Sequence, residues 1–276
     1  MFVGAHVSIA GGIHKAIDRE HELGGTTGQS FTRSPVVWQA PEISREEQAL
    51  FREKLSSVTG PWMIHSSYLV NLATPKETLR EQSIQRLQTD IDIASQLGVE
   101  FVTVHLGAHT GCGRTTGLGN VATAINTLDI PSEVRLLLEI DAGSGTKLGD
   151  DFEDFELVLE QTHHACGVCF DTAHAFAAGY DVSTPAGVTE TFEAFDQRIG
   201  LERLHAVHLN DSKHACGTKK DEHAHIGEGC IGDAGMQAVI NHPVVQTLPV
   251  ILETPTENGK SFEWNLHRVA ELHTGD

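Results

Sequence analysis

Eight short apolar runs, each followed by an amphipathic segment, constrain the fold of this chain more than any other feature. The runs lie at residues 2–7, 29–32, 61–65, 101–105, 134–140, 165–171, 204–209 and 249–253. The second run is weak by itself, and the spacing of its neighbours supports it. Strands that alternate with helices are typical of parallel βα units, and eight such units close into a barrel. The sequence therefore predicts an α/β fold, a (β/α)8 TIM barrel, with a single domain over residues 1–276.

An open, doubly wound parallel sheet is the alternative arrangement of the same elements. It would need a glycine-rich turn after the first strand, and Gly11-Gly12 does not match the dinucleotide-binding fingerprint. The closed barrel is therefore the preferred prediction.

Capping residues predict where several helices begin and end. Ser44 and Glu47 form a capping box. Thr74-Pro75 predicts an N-cap with a first-turn proline, and Gly98 predicts the end of that helix. The predicted helices run over 44–57, over 74–98, from 150 or 151 to the sixth strand, from 184 to about 200, and over 263–272.

The five cysteines are odd in number and scattered, which argues against a disulfide framework. Cys166 and Cys169 have the spacing of a metal or redox pair, but they lie in an apolar run. Their thiols would point to opposite faces of a strand, so buried structural cysteines are the better interpretation. The chain has no apolar run of about 20 residues and no signal-peptide pattern. We expect a cytoplasmic, monomeric protein that does not bind membranes.

Histidine content and net charge suggest different partners. The chain has 17 histidines, which suggests metal binding, and a formal net charge of −19. An acidic surface repels DNA unless local cations or bound metal ions reverse the field in the cleft. We hypothesise that the acidic surface is an adaptation to high salt. The protein should then be more stable and more active at molar salt than at low ionic strength.

Seven of the eight predicted strands end at or near an imidazole or a carboxylate. In a (β/α)8 barrel the carboxyl ends of all strands meet at one face, where such barrels build their active sites. One such residue alone is usually only hydrogen-bonded, but seven together would perturb one another's pKa unless cations intervene. Mixed ligation of this kind suits zinc or a similar metal. The seven residues are His6, His65, His105, Glu139, Asp171, His208 and Glu253.

Two short motifs extend this set. Asp171 is followed three residues later by His174, at the entry to the next helix. Asp221 and His223 lie in a loop after the seventh strand, and as alternate residues they can project to one side and chelate one ion. By itself such a motif is usually a solvated loop, but its position in the same loop region as His208 favours metal binding.

The stretch DTAHAFAAGYD at 171–181 and six shorter segments between residue 4 and about residue 254 form a distinctive set, of which the stretch at 171–181 is the most diagnostic. Through these segments, which cover nearly the whole chain, the sequence resembles the endonuclease IV family of AP (apurinic/apyrimidinic) endonucleases. It implies a xylose-isomerase-like TIM barrel. The other segments that resemble the family are GAHVS at 4–8, HSSYLVNL at 65–72, HLNDSK at 208–213, DEH at 221–223, HIGEG at 225–229 and LET at 252–254.

The resemblance implies three zinc ions per chain. By similarity, His65 and His105 hold one ion, which Glu139 bridges to a second. The second site is completed by Asp171, His208 and Glu253, and the third ion is held by His174, Asp221 and His223.

The implied reaction is hydrolysis of the DNA phosphodiester 5′ to an abasic site. A hydroxide shared by the bridged zinc ions would attack phosphorus, with Glu139 and Glu253 as the catalytic carboxylates. The family implies products with a 3′-hydroxyl and a 5′-deoxyribose phosphate, as in base excision repair, and the removal of groups that block 3′ ends. The implied partner is double-stranded DNA with abasic or 3′-blocked sites.

Recognition of a missing base must depend on DNA deformation, because there is no base edge to contact. Val36 and Val37 depart from the longer polar residues that the family pattern favours, and an apolar wedge and neutral drift are equally good explanations. Glu222, Ile140 and Asp141 depart from the pattern as well. The candidate DNA contacts are Arg33, Trp38, Tyr68, Leu69, Arg114, Lys213, Lys219 and Lys220.

Two other functions are compatible with parts of the pattern. A metal-dependent sugar isomerase or epimerase on the same barrel would also surround the bowl with His, Glu and Asp, but would have no obvious use for His174, Asp221 and His223. A zinc-storage or scaffold protein would not need shared, open ligands at strand ends. Metal content separates the first two: about three zinc ions favour the nuclease, and one or two labile Mn²⁺ or Mg²⁺ ions favour the isomerase.

Overall fold

Eight parallel strands form one sheet in the structure, a computed structural model that describes residues 1–39 and 42–274. They lie close to the predicted positions, and most are one or two residues shorter. The strands are β1 (Phe2–Ala5), β2 (Gly28–Ser30), β3 (Trp62–His65), β4 (Phe101–His105), β5 (Arg135–Glu139), β6 (Gly167–Asp171), β7 (Leu204–His208) and β10 (Pro249–Leu252). A short antiparallel hairpin lies between β7 and β10 and consists of β8 (Asp211–Ser212) and β9 (His223–Ala224).

The sheet closes on itself, as the sequence predicted. Each strand pairs in parallel with the next, in the order β1, β10, β7, β6, β5, β4, β3, β2. Between the two outer strands of this order, His6 forms a parallel bridge with Gln29, and Val7 N donates to Gln29 O at 2.8 Å. The fold is therefore a (β/α)8 TIM barrel.

Glu20 completes the seam between β1 and β2. Its carboxylate accepts from Ala5 N, at 3.2 Å to each oxygen, and thus satisfies a backbone donor that faces the weakly paired seam. Burial raises the pKa of Glu20 to about 8, although the Ala5 N–H acts in the opposite direction. A Cβ at Gly25 would lie 1.7 Å from Glu20 Oε1, so a larger residue there would displace the carboxylate from its position at the seam.

Helices follow the strands and cover the outside of the barrel. The predicted caps at Ser44 and Thr184 are confirmed, since each hydroxyl accepts from a backbone N–H three residues on, at 3.1 Å. The described helices are α1 (Lys15–Leu23), α2 (Arg45–Leu55), α3 (Glu77–Leu97), α4 (Arg114–Asn126), α5 (Phe152–Gln161), α6 (Thr172–Ala178), α7 (Pro185–Arg198), α8 (Gly232–Ile240) and α9 (Phe262–Leu272).

Two predicted details of the caps are wrong. Helix α3 begins at Glu77 rather than at the proline, and Thr74 accepts from Lys76 N at 3.3 Å in a turn before the helix. The capping box of α2 is half formed, because Glu47 Oε1 accepts from Ile13 N at 2.8 Å and thus bonds to another segment. At Thr74 a bond within the preceding turn replaces the helix cap, and at Glu47 a bond to a distant segment replaces the reciprocal half of the capping box.

Apolar side chains fill both sides of the sheet. A large core lies between the strands and the helices, and Cys166 belongs to it. A smaller cluster, which contains Met63, Phe101, Leu137 and Cys169, fills the barrel interior. The two cysteines therefore lie on opposite sides of the sheet, as predicted, and the interior cluster forms a floor beneath the carboxyl ends of the strands. Among the helices that the structure describes, none combines the length and apolar character that a membrane span requires.

Candidate metal centre

The structure brings all nine predicted ligand residues to the carboxyl-terminal face of the barrel. Five of them are the last residues of β3, β4, β5, β6 and β7. Glu253 follows β10, His174 lies in α6, Asp221 precedes β9, and His223 begins it. Residues that are far apart in sequence thus meet because parallel strands end at one face.

Glu139 lies at the centre of the group and is fully buried. Its Oε2 lies 2.9 Å from His65 Nε2 and 3.4 Å from His105 Nε2. Its Oε1 lies 2.8 Å from His208 Nδ1. The two oxygens therefore face different imidazoles, which is the arrangement that a bridging carboxylate needs.

A second group shares two of these residues. Ligand atoms of Glu139, Asp171, His208 and Glu253 all lie within 4.8 Å of one another. This group is the set that the sequence resemblance implies for the second ion.

The third group lies beside the second. His174 Nε2 is 3.1 Å from Asp221 Oδ1, and His223 Nε2 is 3.6 Å from the same oxygen. His223 Nε2 also lies 3.9 Å from Asp171 Oδ2, so Asp171 adjoins this group as well as the second.

Backbone carbonyls orient three of the imidazoles. The Nδ1 atoms of His65, His174 and His223 donate to carbonyl oxygens at 2.7, 2.9 and 3.1 Å. A carbonyl oxygen can only accept, so these contacts place the proton on Nδ1 and leave Nε2 free to bind a metal ion. In each case the free Nε2 faces a carboxylate of the group.

A buried imidazole nitrogen without a hydrogen-bond partner tests whether a metal ion fits this group. His223 Nε2 is buried and has no hydrogen-bond partner among the described residues, although two carboxylate oxygens lie 3.6 and 3.9 Å away. Two atoms bound to one tetrahedral zinc ion at about 2.1 Å lie about 3.4 Å apart. The spacing is too long for a hydrogen bond and suits atoms that share an ion. The nitrogen and oxygen donors are also those that zinc accepts, so the residues fit the metal.

The pKa shifts reflect the same crowding. Burial acts to raise the pKa of Glu139, but His105, His208 and His65 outweigh it and lower the pKa well below its usual range. Burial acts to lower the pKa of His208, whereas the surrounding negative groups raise it well above its usual value. Positive charge near the carboxylates is therefore strongly stabilised, whether a proton or a metal ion supplies it.

Polar residues that the sequence analysis missed hold these ligands in place. Gln29 Nε2 donates to Glu253 Oε1 at 2.8 Å, and Gln29 Oε1 accepts from His208 Nε2 at 3.0 Å. Asn210 Nδ2 donates to Asp171 Oδ2 at 2.8 Å. Amides at strand ends carry no recognisable metal-binding signal in a single sequence, and their partners become known only once the barrel closes.

His6 was predicted at the rim but not as a ligand. Its Nδ1 donates to Glu253 Oε1 at 2.8 Å. The imidazole therefore orients a ligand carboxylate from β1, across the seam.

The ligand groups open into a cavity of about 440 Å³. Tyr68 from the predicted DNA-contact set lines this cavity, and so do Asp141 and Lys147. Asp141 Oδ2 lies 3.3 Å from His105 Nδ1, without the alignment of a hydrogen bond, and 3.1 Å from Lys147 Nζ.

The predicted DNA contacts separate into an apolar group and a set of cations, most of which are paired with carboxylates. Val36 is 70% exposed and Tyr68 62% exposed, while Val37 and Trp38 are less exposed. Leu69 is half-buried next to Tyr68. Tyr68 lines the cavity, and the exposed side chains of Val36, Val37, Trp38 and Tyr68, which we call the apolar rim, are available to a partner.

Arg33 does not belong to that rim, so its contact with DNA stays a prediction that the burial of its side chain does not favour. Its side chain is only 6% exposed. Its Nη2 lies 3.5 Å from Asp90 Oδ1, and its Nη1 donates to Trp38 O at 3.2 Å. The buried carboxylate of Asp90 in α3 draws the guanidinium inwards, where it supports the loop instead of extending from it.

Three other predicted cations are occupied by carboxylates. Arg114 pairs with Asp150 at 3.0 Å and with Asp154 at 2.6 Å. Lys219 reaches Asp150 at 2.7 Å. Lys213 likewise lies 3.1 Å from Glu257, and the exposed Lys220 forms no ion pair with any residue that the structure describes.

Comparison with known proteins identifies the family. A family model described as xylose isomerase-like TIM barrel matches residues 17–272. A probable endonuclease 4 of Natronomonas pharaonis is 59% identical over 98% of this chain and 98% of its own length. The chain belongs to the endonuclease IV family. The prediction that it is an enzyme, a hydrolase of the nuclease class, is thereby confirmed.

Solved structures agree with this placement in the endonuclease IV family. Endonuclease IV from Thermus thermophilus superposes with a TM-score of 0.88 at 36% identity, over 99% of this chain and 98% of that one. A D-tagatose 3-epimerase-like protein superposes with a TM-score of 0.73 at 19% identity, over 99% and 97% of the two chains. The second similarity concerns the barrel fold alone, so it gives no support to the isomerase alternative.

Proposed function

We propose that this protein is a zinc-dependent AP endonuclease that hydrolyses the DNA phosphodiester 5′ to an abasic site. The products are a 3′-hydroxyl and a 5′-deoxyribose phosphate, and the same centre removes blocking groups from damaged 3′ ends. The observation that carries the proposal is the convergence of carboxylate and imidazole side chains at one cavity: seven of the nine predicted ligands form three overlapping groups, and His105 and Asp221 adjoin them at 3.4 Å from Glu139 and 3.1 Å from His174. Membership of the endonuclease IV family supplies the reaction class.

Zinc ions bound to these groups would supply Lewis acidity, which activates water and neutralises charge at phosphorus. The protein's own task is to hold the ligands in fixed positions. Glu139 presents one oxygen to His65 and the other to His208, so it is the residue that would connect two ions. Glu253 is held by His6 and Gln29 at 2.8 Å each, so its carboxylate has little freedom to rotate.

Substrate selection depends on the apolar rim and the size of the cavity. Val36, Val37 and Tyr68 can enter the gap that a missing base leaves in the stack, because apolar side chains part base pairs. A flexible abasic sugar can then turn into the cavity at a lower cost than an intact nucleotide, which must first unstack and unpair. The predictions of a single domain over residues 1–276, a monomer and a cytoplasmic location stay predictions.

A labelled duplex with one abasic analogue tests this function. We expect a single nick 5′ to the analogue, none in the undamaged duplex, and loss of incision with a chelator that zinc reverses. Metal analysis should give about three zinc ions per chain. Retained zinc without incision would contradict the proposal, as would isomerisation of a sugar with one or two Mn²⁺ ions bound.

A further inference from the structure

Lys147 is the feature of the cavity that the sequence resemblance leaves without a role. Among the described residues that line the cavity, it is the one lysine or arginine. The cations predicted to contact DNA do not line it, and most are paired elsewhere. A phosphodiester that enters the cavity therefore meets one permanent organic cation.

The backbone around Lys147 is fixed between two loops. Lys147 forms an antiparallel bridge with Ala108, which follows β4. On either side of it, His109 N donates to Thr146 O at 3.0 Å and Leu148 N donates to Gly107 O at 2.8 Å. The loop after β5 is thus attached to the loop after β4, so the lysine extends from an ordered support.

Two carboxylates hold the ammonium group over the cavity. Lys147 Nζ lies 3.1 Å from Asp141 Oδ2 and 3.8 Å from Asp221 Oδ2. The Lys147 side chain is still 38% exposed. An ammonium group has three N–H donors, and two carboxylates engage at most two of them in this geometry. At least one donor therefore remains for a ligand in the cavity.

The negative charge around the cavity makes the free N–H donor of Lys147 important for binding an anion. Carboxylates of Asp141, Asp221 and Glu253 line the space in a chain whose formal net charge is −19. A phosphate anion is repelled by these groups unless cations compensate them. A lysine acts as a compact point charge for phosphate and does not need the planar geometry that arginine needs.

We propose that Lys147, held by Asp141 and Asp221, is a substrate-binding residue whose ammonium donates to a phosphate oxygen of the damaged strand. The inference rests on the proposed function and adds to it a contact from the chain itself. No bond is made or broken by this residue, so its effect belongs to binding.

The test is equilibrium binding of the nicked product duplex, which the enzyme does not cut again. Zinc-loaded wild type, Lys147→Gln and Lys147→Arg are compared by fluorescence anisotropy over a range of KCl concentrations. At low salt Lys147→Gln should raise Kd about tenfold, the usual effect of one lost charge-assisted hydrogen bond. The slope of log Kd against log salt should fall by about one, because one phosphate contact is lost. Lys147→Arg should restore most of the affinity and the full slope.

Three further measurements separate this role from a structural one. Lys54→Gln removes a lysine that is paired with Asp18 outside the barrel, and it should bind DNA as the wild type does. Zinc content per chain should be the same in Lys147→Gln and the wild type. In steady-state incision, Lys147→Gln should raise KM about tenfold and leave kcat within about twofold, as expected when binding is lost equally from substrate and transition state.

Unchanged Kd and salt slope in Lys147→Gln would overturn the inference. Weaker binding accompanied by loss of zinc would also overturn it, because Lys147 would then act through Asp221. If the wild type incises the abasic duplex, these outcomes leave the proposed function intact. If the wild type does not incise it, the proposed function fails, and this inference fails with it.

Discussion

Glu139 connects more of the candidate centre than any other single residue described above. Its two oxygens contact imidazoles from three different strands, β3, β4 and β7. No solvent reaches it, and its charge is balanced entirely by groups inside the barrel. A change at this position should therefore alter metal binding and leave the outer core untouched.

Glu139→Gln should abolish most of the incision of an abasic duplex while the fold persists. The amide keeps the shape of the side chain but removes the charge and one of the two oxygen ligands. Loss of a partner that only orients a ligand already costs about 10- to 100-fold, so loss of the bridging ligand should exceed roughly 100-fold. Initial rates and zinc content measure the effect, and circular dichroism checks the fold.

Glu190→Gln is the matched control, because Glu190 is exposed on α7 and away from the cavity. It should retain wild-type rates and zinc content. Full activity and full zinc content in Glu139→Gln would remove the bridging role.

Six of the nine candidate ligands could be predicted because they lie at strand ends, and two short motifs added His174, Asp221 and His223. Once the strands are recognised, residues such as His105 and Asp171 must lie at the same face. The roles of Gln29 and Lys147 were missed, since an amide or a lysine acquires its partner only through contacts across the barrel. The burial of Arg33 could not be predicted, because it depends on Asp90, which is far away in sequence.

At the scale of elements, helix α3 supports the loop that carries the apolar rim. Asp90 of α3 is buried and accepts from Thr32 Oγ1 at 2.6 Å and from Ser66 Oγ at 3.1 Å. It also pairs with Arg33 and Arg86, and Arg86 Nη1 donates to Val37 O at 2.9 Å. One carboxylate therefore holds both loops that flank the cavity entrance.

Asp90→Asn should destabilise the protein and weaken its binding of abasic duplex. Two buried guanidinium groups would lose their counter-charge, which typically costs about 3 kcal/mol or more in the free energy of unfolding. The loosened rim should raise KM more than it lowers kcat. Urea denaturation and steady-state kinetics measure the two effects.

Asp92→Asn on the exposed side of the same helix is the control and should change neither quantity. If Asp90→Asn and the wild type have the same urea midpoint of unfolding, Asp90 has no structural role.

Helix boundaries were predicted well where a side chain caps locally and poorly elsewhere. Ser44 and Thr184 make the expected bonds within their own turns. Helices α4 and α8 had no predicted boundaries, since each contains two or more glycines and lacks a strong cap. Packing against the barrel stabilises these two helices, and a local pattern does not record such packing.

For the whole molecule, the β1–β2 seam makes stability depend on pH through Glu20. The folded pKa is about 8 and its ordinary value is 4.5, so the folded state holds the proton more tightly. The stabilisation is complete below the ordinary value and is lost as pH rises through the folded one.

Glu20→Gln should therefore flatten the pH dependence of the free energy of unfolding. In the wild type this group contributes a fall of up to about 1.4 kcal/mol per pH unit between the two pKa values. The amide does not titrate, so the difference between the two proteins should shrink or reverse towards pH 8. Urea denaturation from pH 5 to 9 measures it, with exposed Glu22→Gln as the control. Parallel curves for Glu20→Gln and the wild type would contradict the shifted pKa.

The net charge of −19 leads to a second prediction for the whole molecule. Added KCl screens the repulsion between surface carboxylates, since the Debye length falls to about 3 Å at 1 M salt. The melting temperature should therefore rise between 0.1 and 2 M KCl, and incision should persist at the higher concentration. Calorimetry and nicking assays measure the two responses, and the highest stability at low ionic strength would contradict the salt-adaptation hypothesis.

The position of β10 between β7 and β1 has a consequence for the order in which the molecule is made. Glu253 follows this strand and is the last ligand to leave the ribosome, and the sheet cannot become continuous before β10 pairs with both neighbours. An unfinished polypeptide thus holds an incomplete set of ligands, however many strands it already has. The candidate metal centre therefore becomes complete only after β10 has been synthesised and has joined the sheet.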